Sequence, residues 1–198
     1  MQTQKVVDAQ KVITEVARIV EDACRQETNP FGYTAWSHHT VCVVKHAKML
    51  AKMLHADVEV VEIAALLHDY ASIYGKEYYK EHHIHGACMA EEILQRLGYP
   101  QKKIEIVKKC IISHRGSVLI KKDSPEQCCV SSADAMAHIE HAFSIFLSQC
   151  KRKGVAVDDC IAWLKAKIER SWIKLCPQAK DIMQDKYTSL KELLELFS

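Results

Sequence analysis

Apolar side chains recur three and four positions apart along almost the whole chain, the period of helices that bury one face. That pattern predicts helices near 5–26, 37–55, 59–69, 82–97, 101–114, 125–150, 158–175 and 177–196, the last broken near Lys186. Breakers are scarce, with six Gly and four Pro in the chain, and two sets fall where helix ends are needed. In Leu97-Gly98-Tyr99-Pro100 the glycine can take the left-handed conformation that ends a helix, and the proline cannot continue it. In Ser124-Pro125-Glu126-Gln127 the serine can cap a helix, the proline tolerates its first position, and Gln127 can reach back to close a capping box. No repeat, low-complexity tract or linker-like stretch divides the sequence. The expectation is an all-α bundle of about seven to eight helices in a single domain over 1–198, the helices after about residue 150 forming a cap or a dimerisation element, compatible with a homodimer.

Composition narrows the function classes. At 198 residues the chain can bury roughly 70% of its unfolded surface without a staple. Lys and Arg (27) nearly balance Asp and Glu (25), which gives no electrostatic support for nucleic-acid binding. Charges fall in every turn of the first segment, unlike the apolar core of a signal peptide, and no later run is apolar enough to span a membrane. The nine cysteines include no Cys-x-x-Cys pair and fall mostly at apolar helix positions such as Cys42, Cys88, Cys110 and Cys160. Reduced, packed thiols in a cytoplasmic protein are the expectation, and packing is favoured over redox chemistry for the adjacent Cys128 and Cys129.

The eleven histidines change the picture, because they gather between positions 38 and 141. His68-Asp69 ends a stretch from Val60 to Leu67 that is apolar except for Glu62. A carboxylate beside an imidazole at that depth is expensive unless compensated, and a metal ion compensates it well. Two adjacent residues at a helix end can both reach one ion lying between their directions. Imidazoles and carboxylates suit a six-coordinate ion that keeps water positions open. Such an ion lowers the pKa of its water and neutralises charge on a phosphoryl oxygen.

The order of these pieces resembles the HD superfamily of metal-dependent phosphohydrolases, in particular its small stand-alone bacterial members. His39 is followed by Val43, Ala47, Leu50 and Ala51 at helical spacing; Ala64-Ala65-Leu66-Leu67-His68-Asp69 is close to the family hallmark; His82 precedes Gly86-Ala87; and Ile111-Ile112-Ser113-His114-Arg115 precedes Ser132-Ala133-Asp134-Ala135. The resemblance covers roughly residues 35–140. It implies an HD-type helical bundle in which His39, His68, Asp69 and Asp134 bind a divalent cation. Asp69 also matches a position that orients the attacking water. His82 and His114 match histidines that bind a second metal or contact and protonate the substrate, and Arg115 follows as a phosphate clamp. The implied activity is hydrolysis of a small phosphorylated metabolite, a nucleotide above all, at a monoester or pyrophosphate link, by metal-bound hydroxide. Manganese is the first expectation for the ion, ahead of iron, cobalt, nickel, zinc or magnesium, with one or two ions per chain.

Departures bear on the substrate. Tyr70-Ala71-Ser72-Ile73-Tyr74 stands where alarmone hydrolases carry an acidic pair, and the Gly of HD-x-Gly is missing. Gly98-Tyr99-Pro100 follows a complete helix, unlike the motif of cyclic-dinucleotide phosphodiesterases, and reads as a helix stop. After Asp134 the sequence leaves the family pattern. Of the other histidines, His38 reads as solvent-facing or supporting, His46 as packing, His83 and His85 as surface groups with His83 nearer the site, and His138 and His141 as exposed helix. A non-catalytic nucleotide sensor using the same pocket is the competing reading, and diiron oxygenase chemistry a remote third.

Overall fold

The computed structural model describes residues 8–116, 120–154 and 156–197. Among the described residues there are ten α-helices, two short helical segments of other pitch and no strand. Helix α1 (Ala9–Cys24) begins where Asp8 accepts hydrogen bonds from the Gln10 and Lys11 amides, and Val12, Val16, Val20 and Cys24 form its buried stripe. Its outer face carries Arg18 between Glu15 and Asp22. Residues 5–7 of the expected first helix lie outside the described residues.

Two helices make the centre. Helix α3 (Val58–Leu67), capped by Asp57, is apolar on nearly every side, with Val60, Val61, Ile63, Ala64, Ala65, Leu66 and Leu67 all buried, as expected of a helix with no solvent face. Helix α7 (Pro125–Glu140) has the expected capping box: Ser124 accepts from the Gln127 amide while Gln127 accepts from the Ser124 amide. It packs against α2 (Val41–Met53), α3, α6 (Gln101–Ser113), α9 (Val157–Lys174) and α10 (Pro177–Glu195). Helices α5 (His82–Arg96) and α6 form a hairpin. The turn between them is the expected stop, with Gly98 at φ 70° and the Tyr99 amide donating to the Leu94 carbonyl. The Tyr99 hydroxyl then donates to Glu59 at 2.6 Å, tying the hairpin to α3.

Several expectations need correction. The helix expected over 125–150 is two, because the backbone at His141 leaves helical geometry (φ −111°, ψ 33°) and α8 (Ala142–Lys153) turns to pack on α9. No Gly or Pro marks that break, so periodicity alone runs through it. Helix α10 is not broken near Lys186: Lys186 pairs with Glu140 and Tyr187 stacks on Trp172, which hold the helix straight through that point. Two short segments, α4 (Tyr70–Tyr74) and a 3-10 turn over Lys76–Glu81, fill what reads as a loop. The sulfurs of Cys150 and Cys160 are joined across α8 and α9, and Cys88 is exposed, so these three depart from the packed-thiol reading, whereas Cys24, Cys42, Cys110 and Cys129 are free and buried. Among the described residues no helix is long and apolar enough to cross a membrane.

Glu140 clamps α7 to its neighbours, with one carboxylate oxygen 2.6 Å from His46 Nε2 on α2 and the other 2.6 Å from Lys186 Nζ on α10. Burial would raise its pKa, but Lys186 and His46 outweigh that and hold it down to about 2. A folded pKa below the unfolded one stabilises fully above the unfolded value and is lost as pH falls through the folded one. Glu140→Gln is therefore expected to cost on the order of 1–3 kcal/mol near neutrality. The gap between variant and parent in thermal unfolding should close as pH falls from about 4.3 towards 2; a gap independent of pH would contradict the clamp. Ser124→Ala removes the α7 cap and should cost about 1 kcal/mol, read as a melting temperature about 2–4 °C lower.

Candidate metal centre

Six side chains from five places in the chain gather at the end of α3 and beside α7. His39 sits in a π-helical turn, Ala35–Thr40, that leads into α2. Wide turns of this kind change which residues face inward; His39 faces the bundle while His38 is exposed, bonded to Ser37 Oγ. His68 caps the end of α3 and is fully buried, and Asp69 occupies the break before α4. His82 opens α5, His114 closes α6, and Asp134 lies within α7.

Three of the imidazoles are anchored alike. The Nδ1 atoms of His68, His82 and His114 lie 2.8, 2.9 and 2.5 Å from the carbonyls of Ala65, Tyr79 and Ile111, each three residues back. A ring that donates Nδ1–H keeps a bare lone pair on Nε2, which is how metal-ligating histidines are oriented. His82 Nε2 and His114 Nε2 then face each other at 3.2 Å. Such an arrangement calls for an electron-pair acceptor, and the donor set fits a divalent cation.

Asp69 divides the cluster. Its Oδ2 is 3.5 Å from His39 Nε2 and 3.4 Å from His68 Nε2, while its Oδ1 is 3.4 Å from His82 Nε2 and 3.5 Å from His114 Nε2. Asp134 Oδ1 joins the first half, 3.4 Å from His39 Nε2 and 3.8 Å from His68 Nε2. The sets His39, His68, Asp134 and His68, Asp69, His114 are each close enough to share one ion. Burial would raise the Asp69 carboxyl, but His68, His114 and His39 hold it well below the usual range. Burial acts likewise on Asp134, and His138, Lys174, His68 and His39 reverse it. His114 is pushed down to about 4 by burial, which favours its neutral, lone-pair-donating form.

All seven residues singled out in the sequence line or adjoin one cavity of about 280 Å³, near the lower end of small-molecule sites, roughly 300–1,000 Å³. Arg115 lines it with Nη1 3.4 Å from His83 Nδ1. His83, expected at the surface, is buried. His138 and His141 line the cavity and are not exposed helix: His138 stacks on His39 and puts Nε2 3.3 Å from Asp134 Oδ1. Their spacing from Asp134, one turn and two, was the available signal, because i and i+4 share a helix face. Sequence reasoning also missed Lys174, which donates to Asp134 Oδ2, and Lys167 and Arg170 beside it. A further group, Cys42, His46 and Glu140, is close enough to share an ion; Lys186 already neutralises its carboxylate.

The fold has counterparts among solved structures. Bacillus subtilis YpgQ superposes with a TM-score of 0.69 at 18% identity, covering 95% of this chain and 94% of that one. YpgQ in complex with ADP gives 0.64 at 18% identity, over 93% and 95%. A predicted HD superfamily hydrolase from an uncultured Thermotogales bacterium gives 0.62 at 22% identity, over 93% and 90%. No curated protein matches the chain. The HD domain model matches residues 36–139, more than half of the 198 residues and the segment that carries all the imidazoles and carboxylates of the cluster, so the chain belongs to the HD domain family.

Proposed function

We propose that this chain is a metal-dependent phosphohydrolase, a single domain whose C-terminal helices cap the site, acting on a small phosphorylated metabolite of the nucleotide class. The observation that carries the reading is the facing pair of Nε2 atoms of His82 and His114 beside a carboxylate whose other oxygen meets His39 and His68. His39, His68, Asp69 and Asp134 would hold one divalent cation, and His82 and His114 with Asp69 a second. A divalent ion supplies acidified water at neutral pH and neutralises charge on phosphoryl oxygens; manganese suits the nitrogen and oxygen donor set, as do iron and cobalt.

The protein's own groups do the rest. Asp69, held ionised, accepts a hydrogen bond from the attacking water and aligns it. Because His82 and His114 commit Nδ1 to the backbone, only their Nε2 atoms can act: with a second cation bound each would serve as an electron-pair donor, and only without one could Nε2 carry a proton to the leaving oxygen. Arg115 offers a planar fork to phosphate oxygens at the cavity wall. Phe31, Ile73 and Tyr79 add apolar surface to the lining of the same cavity. The cap is supported by α9, which packs on α7 and α8 and lines the cavity. The ADP complex of YpgQ adds that a relative of this fold holds a nucleotide.

Purified protein supplied with manganese is expected to release phosphate or pyrophosphate from at least one member of a nucleotide and sugar-phosphate panel. His68→Ala and Asp69→Ala should lower that turnover at least about a hundredfold, the scale of losing a metal or its ligand. Binding with thermal stabilisation and no turnover on any member would replace the hydrolase by a nucleotide sensor. Removing metal with a chelator should lower the melting temperature of the parent and leave that of Asp134→Asn nearly unmoved. Equal shifts in both would mean that Asp134 holds no ion.

A further inference from the structure

Helix α9 lies outside the segment matched by the HD domain model, yet one of its stripes faces the cavity. Trp163, Lys167, Arg170 and Lys174 follow the spacing i, i+4, i+7 and i+11, a single helix face, and all four line the cavity. Lys174 marks the inner end, because its ammonium is bonded to Asp134. At about 1.5 Å per residue the stripe runs roughly 16 Å along the cavity from Lys174 to Trp163.

Of the three cations along it, Lys174 is paired with Asp134. Lys48, Lys103, Lys108 and Lys186 each pair with a carboxylate. Among the described residues the side chains of Lys167 and Arg170 have no such partner. Lys167 is half-buried, and desolvation lowers its pKa from the ordinary lysine value. A cation in that position is expensive unless an anion fills the space before it. Two cations one turn apart match successive anionic groups along a chain, rather than a single terminal phosphate beside the metal cluster. The indole at the outer end offers a flat apolar face of the kind that stacks on a planar ring.

Resting on the hydrolase reading of the same cavity, we infer that the α9 stripe is a binding strip for a nucleoside polyphosphate. Lys167 and Arg170 hold the phosphates between the reacting end and the sugar, and Trp163 carries the base. The ligand class is therefore a nucleoside di- or triphosphate, distinguished from a monophosphate by Lys167 and Arg170.

The test is isothermal titration of the manganese-loaded full chain with three probes: α,β-methylene ADP, whose bridge resists hydrolysis, AMP and inorganic pyrophosphate. The parent should bind the methylene diphosphate at least about tenfold tighter than AMP, a difference of roughly 1.4 kcal/mol. Lys167→Gln and Arg170→Gln should each weaken the diphosphate about tenfold and move AMP by less than about twofold, while Lys167→Arg restores most of the loss. Trp163→Ala should weaken both nucleotides and leave pyrophosphate unchanged. Melting temperatures within about 2 °C of the parent would show that the variants fold. Equal affinity of the parent for AMP and the diphosphate overturns the inference, as does unchanged diphosphate binding in Lys167→Gln or no binding of any probe. Binding with this pattern but no turnover of any nucleotide would sink the hydrolase reading and leave the strip standing.

Discussion

The constraint on which the site depends is the tethering of three imidazoles by their own backbone. His68, His82 and His114 each set Nδ1 against the carbonyl three residues behind, so Nε2 is the atom turned towards Asp69. Gathered in the interior, these nitrogens and the carboxylates of Asp69 and Asp134 are polar groups whose burial is costly unless they are compensated. The bundle spends its rigidity on keeping them together: α3 is apolar on nearly every face, and α7 is wedged among five helices. What holds the fold, namely burial of Ile63 and Leu67 on α3 and of Met136 on α7, also fixes the donors those helices carry. Small displacements are resisted because close-packed side chains leave no slack.

Prediction from sequence succeeded where the signal was local. The Gly98 stop and the Ser124 capping box depend on a few neighbouring residues, and both form as read. The long apolar run of α3 and the histidines at helix ends were legible for the same reason. The break at His141 was not, because nothing in the local sequence forbids helix there; the turn of α8 onto α9 is a tertiary preference. The supposed break at Lys186 failed in the opposite sense, since an exposed-looking lysine is fixed by a carboxylate that lies 46 positions away in sequence. His138 was misread because its neighbours look amphipathic, although one helical turn from Asp134 it had to share that residue's face.

The HD segment and the C-terminal helices divide the work between them. The segment over 36–139 supplies the electron-pair donors, whereas α9 supplies the aromatic and cationic wall. A resemblance that ends near residue 140 brings the chemistry with it but carries nothing about the ligand's far end. That half of the cavity has to be read from which charges the protein leaves unbalanced.

Lys174 is where the two parts meet. Its bond to Asp134 Oδ2 leaves Oδ1 facing His39, His68 and His138. With its imidazoles neutral, as metal ligands are, the inner cluster's two carboxylates and one ammonium sum to one negative unit, so a single divalent ion would turn it one unit positive. On the proposed reading the cavity's electrostatics would reverse with occupancy: without the ion the inner end would repel an anion, and with it the inner end would join Lys167 and Arg170 in attracting one. Loading of the cation and binding of a phosphate chain would then be coupled through that sign change, and by linkage each would strengthen the other.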